Sequence, residues 1–143
     1  RSQVLQQKLQ QTMEHTAANS ALTMVIALSY SSRWEITKAA HDIALEVAER
    51  KLKAEDISEE TLSEHMATAF MPDPELLIRT GGEERISNYL LWQIAYSELY
   101  FTDTYGPDFD EEGLHRAIAD YQSRQRRFGK TEAQVEEEEK QQK

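Results

Sequence analysis

The sequence contains no cysteine. No disulfide staples this chain, and no thiolate is available as a metal ligand or a nucleophile. A reducing, cytoplasmic setting fits that absence. Long apolar runs are missing too. The longest, Ala21 to Tyr30, is broken by Thr23 and Ser29 and falls far short of the roughly 20 residues that carry a helix across a bilayer. The chain is therefore expected to be soluble or peripheral. No charged, apolar and small-residue signal pattern follows Arg1, and a first residue other than Met reads as a cut end. Clustered basic residues are scarce: the net charge is −10, which excludes broad binding to a nucleic-acid backbone, where Lys and Arg must displace counterions.

What is present suits one domain. With 143 residues and 39% hydrophobic content the chain can bury a single core. Residues 1–130 carry it. Residues 131–143 hold five Glu and two Lys, a net −3, and read as an acidic, disordered tail. From Gln3 to Thr16, Leu5, Leu9 and Met13 recur four residues apart and predict an amphipathic helix. Ala21 to Tyr30 is apolar on both parities, as in a strand covered on both faces of a parallel sheet. Ile36, Ala40, Ile43, Ala44 and Val47 then repeat with helical period up to Leu52. Ser58 followed by Glu59 and Glu60 reads as an N-cap with acids in the first turn, and that helix runs through Leu62 and Met66 until Pro72 and Pro74.

Leu76 to Ile78 predicts a second buried strand, closed by Gly81 and Gly82, with a helix over Ile86 to Ala95. Glu98 to Thr102 predicts a third strand. Asp110 caps a last helix with Leu114, Ala117, Ile118 and Tyr121 on one face. Alternation of this kind points to an α/β fold with a partial, mostly parallel sheet flanked by helices.

The segment richest in chemistry is Pro72 to Phe101, PDPELLIRTGGEERISNYLLWQIAYSELYF. Arg79 stands at the C-terminal end of a predicted strand, where open α/β sheets bind ligands. Gly81 and Gly82 would let the backbone approach an anion, and Arg85, Ser87 and the amides of the following helix would converge on it. Two arginines with paired donors suit a diphosphate better than a lone carboxylate. The competing reading is an ordinary turn whose arginines pair with Glu83 and Glu84. Elsewhere the residues read as structural. His15, His41, His65 and His115 lack the spacing of a helical zinc site. Asp108, Asp110, Glu111 and Glu112 are acids at a helix start, where the dipole favours them without an ion.

The run RTGGEERISNYLLWQIAYSELYF resembles the signature of cis-prenyltransferases of the bacterial undecaprenyl diphosphate synthase kind: Arg, a glycine turn with Glu, a second Arg, Ser-Asn, and an aromatic-aliphatic stretch ending in SELYF. Leu28 to Ile36 (LSYSSRWEI) is similar to the family's YGGRxEI segment. Pro107-Asp108-Phe109 and Arg126-Arg127-Phe128-Gly129 are similar to its PDF and terminal Arg-x-Gly elements. Two departures stand out. Ser31 and Ser32 occupy positions where many members have glycines, and Gly106 stands where many have Trp.

The resemblance implies the C-terminal portion of a cis-prenyltransferase domain. It implies a homodimeric, cytoplasmic enzyme that condenses isopentenyl diphosphate with an allylic diphosphate such as farnesyl diphosphate, using Mg2+. The product would be a long cis-polyprenyl (undecaprenyl) diphosphate, the lipid carrier for cell-wall synthesis, and that lipid would allow peripheral association with membranes. On the matched positions, Arg79, Arg85, Ser87, Arg127 and Gly129 would hold isopentenyl diphosphate, the last two across the dimer interface. Glu98 would help organise the metal, and Glu83 would support Arg85. The family's catalytic Asp lies in a segment of Asp-Gly-Asn-Gly-Arg-Trp type, which does not occur in these residues. No catalytic residue is therefore expected in this chain, and the chain alone is expected to be inactive. The alternative is a non-catalytic binding subunit of a heteromeric cis-prenyltransferase.

Overall fold

The computed structural model describes residues 3–124 and divides the chain into two units, with the boundary after Tyr30. In the first unit, α1 spans Gln3–Thr16, as the apolar spacing predicts. Its hydrogen bonds are supplemented from within. Thr12 Oγ1 donates to Lys8 O (2.9 Å) and Thr16 Oγ1 to Thr12 O (2.9 Å). Leu5 and Met13 on the stripe remain exposed.

The strand expected over Ala21 to Tyr30 is not formed. Residues 22–27 carry no regular structure, and Leu22, Met24, Val25 and Ile26 are each at least half exposed. An apolar run encodes burial but supplies no neighbouring ladder, and a single strand without partners is not stable in water. The ladder present among the described residues pairs other segments.

The second unit opens with Ser31, extended at φ −144°, whose hydroxyl accepts from Trp34 N (3.4 Å) to cap α2, Ser32–Ala48. Its buried face is Ser32, Glu35, Ala39 and Ile43. The apolar period favoured a face including Ala40 and Ala44, both of which are exposed. A polar anchor sets the difference: the Glu35 carboxylate accepts from Ala67 N (2.7 Å) and from Gln93 Nε2 (3.2 Å), which fixes the rotation of the helix. Hydrogen-bonded burial makes an inward Glu tolerable, and apolar periodicity cannot register it.

Helix α3, Glu59–Glu64, starts in a reciprocal cap. Thr61 N donates to Ser58 Oγ (3.2 Å) and Ser58 N donates to Thr61 Oγ1 (3.1 Å). At its end His65 Nδ1 meets Thr61 O (2.7 Å) and Nε2 meets Glu46 Oε1 (3.1 Å). Both ring nitrogens face acceptors, which suits the doubly protonated ring. The Thr61 carbonyl first and the Glu46 carboxylate second hold the His65 pKa above its ordinary value.

Strands β1, Leu76–Arg79, and β2, Glu98–Phe101, form a parallel pair in the register Leu76↔Glu98 through Arg79↔Phe101. The helix expected over Ile86 to Ala95 is replaced by successive turns. Ser87, Asn88 and Leu90 adopt φ of 54°, 61° and 48°, and left-handed residues cannot continue a right-handed helix. After a 3-10 turn at Gly106–Asp108, the Asp110 carboxylate accepts from Gly113 N (2.9 Å) and caps α4, Glu111–Ser123. Gly113 lies against the Phe109 ring, where a Cβ would come within 3.1 Å of ring carbons. Gly113 and Ala117 are the buried contacts of α4, while Leu114 and Ile118 stay exposed. The sheet is thus small, parallel and flanked by helices, as the fold class requires.

Candidate functional site

The site residues cluster where β1 gives way to the glycine turn. Gly81 and Gly82 take φ of 87° and 72°, which a side chain would strain. At Gly82 an added Cβ would also meet Asp103 Oδ1 at 3.1 Å. The amides of this turn are engaged. Gly81 N donates to Thr104 O (2.9 Å) and Gly82 N to Thr102 O (3.0 Å), which ties the turn to the residues that follow β2. Since no helix begins at Ile86, the expected convergence of helix amides is absent.

Side chains remain as the anion donors. Arg79 Nη1 donates to Ser87 Oγ (2.9 Å) and to the Arg85 carbonyl, which folds the segment from Glu83 to Ser87 back over the end of β1. Arg85 forms an ion pair with Glu83 and is two-thirds exposed, at 68%. In this arrangement Arg79 and Ser87 are held together, and Arg85 projects nearby with its charge partly balanced. A guanidinium braced by a carbonyl and a hydroxyl, beside a second guanidinium, can grip adjacent phosphoryl oxygens without first ordering a long side chain. An open recess of about 300 Å³ beside the turn is lined by Gly82, Glu84, Phe101, Thr102 and Asp103. Its two carboxylates, Glu84 and Asp103, disfavour an anion, which sets this recess apart from the arginine–serine group.

Glu98 lies elsewhere. In the parallel register it pairs with Leu76, three positions before the Arg79↔Phe101 pair, a separation of about 10 Å along the strands at 3.3 Å per residue. Its carboxylate accepts from Arg124 Nη1 (2.9 Å), while Arg124 Nη2 meets Asp120 Oδ2 (2.5 Å) and Nη1 also donates to Leu99 O (3.0 Å). The Glu98 hydrogen bond, more than the Asp120 contacts, holds the Arg124 pKa above its ordinary value. No motif in the sequence singles out Arg124. The i, i+4 spacing from Asp120 was the available signal, but the reach to β2 had none. No group of three or more metal-capable side chains occurs among the described residues. Glu98 stands there as a carboxylate paired with Arg124. Arg127 and Gly129, like residues 131–143, lie outside the described residues.

The fold and the turn define an α/β domain whose anion-suited side chains close a parallel strand. Residues 2–129 match the prenyltransferase family described as "Putative undecaprenyl diphosphate synthase". An isoprenyl transferase of Porphyromonas gingivalis is 52% identical over 131 residues, covering 92% of this chain and 52% of that protein. The Pseudomonas putida ditrans,polycis-undecaprenyl-diphosphate synthase, named as (2E,6E)-farnesyl-diphosphate specific, is 50% identical over 132 residues, covering 92% of this chain and 53% of that protein. Among solved structures, lavandulyl diphosphate synthase from Lavandula x intermedia, in complex with dimethylallyl diphosphate, superposes with a TM-score of 0.83 at 37% identity. That match covers 90% of this chain and 56% of the other. The chain belongs to the cis-prenyltransferase family. It spans about half the length of the curated relatives it matches.

Proposed function

We propose that this chain is the isopentenyl diphosphate-binding part of a cis-prenyltransferase that extends an allylic diphosphate such as farnesyl diphosphate into a long cis-polyprenyl diphosphate. The observation that carries the reading is the Arg79–Ser87 pair at the end of β1, with Arg85 beside it, inside the contiguous segment that resembles the family signature. Arg79 and Arg85 neutralise the diphosphate, and Ser87 fixes its orientation through one hydroxyl. Glu83 limits where Arg85 can point. Holding the diphosphate leaves the isoprenyl double bond to be aimed at the allylic carbon, and positioning of this kind is the contribution these residues make to condensation. Glu98 is the residue we assign to Mg2+, which when bound offsets diphosphate charge.

The same reading makes the enzyme a cytoplasmic homodimer in which Arg127 and Gly129 serve the neighbouring subunit, and its product an undecaprenyl-type lipid carrier for cell-wall synthesis. No helix among the described residues is long and apolar enough to cross a membrane, so contact with membranes is assigned to the lipid product. A non-catalytic subunit would have no need of intact diphosphate ligands, whereas Arg79, Arg85 and Ser87 all stand at their matched positions. The reading is tested by titrating the chain with isopentenyl diphosphate, inorganic pyrophosphate and isopentenyl monophosphate. The first two are expected to bind within about tenfold of each other and the monophosphate at least about tenfold more weakly, since losing a charged acceptor forfeits about 1.4 kcal/mol or more. Equal affinity for all three would restore the reading of two ordinary surface arginines.

A further inference from the structure

Ser87 and Asn88 are both left-handed, at φ 54° and 61°. Asn tolerates that region, but Ser does so only when its surroundings impose it. The imposing contacts come from the start of α2. Ser32 N donates to Asn88 O (3.1 Å), and Arg33 N donates to Asn88 Oδ1 (2.9 Å). Asn88 Nδ2 donates to Ser31 Oγ (2.9 Å), and Leu91 N donates to Ser32 Oγ (2.9 Å). Both the backbone and the side chain of Asn88 are thus tied to one helix end, and the tie continues one turn on through a fully buried hydroxyl, Ser32 being 0% exposed. Directly before this clamp stands Ser87, whose Oγ meets Arg79 Nη1 at 2.9 Å.

We infer that Ser31, Ser32 and Asn88 are positioning residues for the diphosphate site: together they hold the turn that presents Ser87 to Arg79. The inference rests on the proposed isopentenyl diphosphate reading of Arg79 and Ser87. It concerns two residues at which this chain departs from the pattern it resembles. Where glycines would offer only backbone at positions 31 and 32, the serine hydroxyls give the Asn88 amide and the Leu91 amide acceptors of their own. The departure is therefore not a neutral replacement of one small residue by another. It moves part of the burden of ordering the substrate turn onto α2. None of the three residues needs to touch the ligand. Each acts through Ser87, so its loss weakens binding by leaving the turn to be ordered at the moment of association.

The test is a titration of the 143-residue chain with isopentenyl diphosphate, alongside urea midpoints, for wild type, Arg79→Ala, Ser31→Ala, Ser32→Ala, Asn88→Gly, Asn88→Asp and Ala39→Gly. Asn88→Gly keeps the backbone free to be left-handed while removing both side-chain ties. Asn88→Asp keeps the acceptor for Arg33 N and can take a hydrogen bond from the Ser31 hydroxyl. Ala39→Gly destabilises α2 without touching the clamp. Ser31→Ala, Ser32→Ala and Asn88→Gly are each expected to raise the Kd by about three- to tenfold, the scale of a lost preorganised contact. Asn88→Asp should keep the wild-type urea midpoint while its added charge repels the diphosphate, and Ala39→Gly should lower the urea midpoint with its Kd unchanged. If Arg79→Ala weakens binding while the serine and glycine variants bind as wild type, the inference is overturned and the site reading stands. If Ala39→Gly weakens binding as much as they do, the effect is general destabilisation and the inference is likewise overturned. An Arg79→Ala variant that binds as wild type removes the site reading itself.

Discussion

Replacing Arg79 by Ala in a full-length enzyme, made by joining this chain behind the amino-terminal half of the Porphyromonas gingivalis isoprenyl transferase, is expected to lower kcat/KM for isopentenyl diphosphate by roughly ten- to a hundredfold or more. The estimate follows from charge-assisted hydrogen bonds of about 1.5 to 3 kcal/mol each. The guanidinium is braced by the Arg85 carbonyl and Ser87 Oγ, so its removal deletes a donor and also slackens the turn that carries Arg85 and Ser87. Arg85→Ala should cost less, because that side chain is 68% exposed and already shares its charge with Glu83. The loss at Arg79 should appear chiefly in the KM for isopentenyl diphosphate, with the KM for farnesyl diphosphate little changed. A loss that falls equally on both substrates would point to unfolding rather than to a diphosphate ligand, and steady-state kinetics with each substrate varied in turn separates the two.

A second result is expected to be all or none. The chain by itself, incubated with magnesium, farnesyl diphosphate and labelled isopentenyl diphosphate, should form no elongated product, while the joined enzyme should form long-chain product under the same conditions. The physical ground is the division of labour in condensation. Departure of the allylic diphosphate needs its own concentrated charge, whereas the groups assembled here amount to one diphosphate's worth of arginine and a single carboxylate some 10 Å along the strands, at about 3.3 Å per residue. No Asp-Gly-Asn-Gly-Arg-Trp type segment occurs in the sequence to supply the remainder. Elongation by the chain alone, demonstrated on protein free of any host synthase, would show that an allylic site had been overlooked among these residues.

Where local chemistry decides structure, the sequence was readable. Ser58 and Asp110 cap the helices at which a short polar side chain precedes a run of acids, and β1 and β2 fall on the two short apolar stretches bounded by Pro, Gly and Asp. Failures of the reading share one cause, which is that the deciding contact is remote. Ala21 to Tyr30 has the composition of a buried strand, but strand formation depends on a partner ladder that no composition encodes. Ile86 to Ala95 has the content of a helix, yet Asn88 is claimed by Ser31, Ser32 and Arg33, 55 or more residues earlier, and its left-handed backbone ends any helix there. The inward face of α2 is chosen by Glu35 reaching Ala67 and Gln93.

The site divides the same way. The grouping of Arg79, Arg85 and Ser87 was legible because they lie within nine residues of one another and flank a glycine turn. The Glu98–Arg124 tie was not, since it joins a strand to the end of α4 across 26 residues. The engagement of the Gly81 and Gly82 amides was not legible either. Their carbonyl partners, Thr104 and Thr102, follow β2, 20 or more residues later, and an amide committed to a carbonyl is not free to cradle a phosphate.

The central claim is that one diphosphate sits on the side chains of Arg79, Arg85 and Ser87, and the most direct measurement is a crystal structure of the chain with isopentenyl diphosphate bound. The account predicts diphosphate oxygens within hydrogen-bonding distance, about 2.7 to 3.2 Å, of the Arg79 guanidinium and Ser87 Oγ, with Arg85 drawn off Glu83 toward the ligand. A diphosphate found only on other residues, with the Arg79–Ser87 pair untouched and Arg85 still on Glu83, would contradict it.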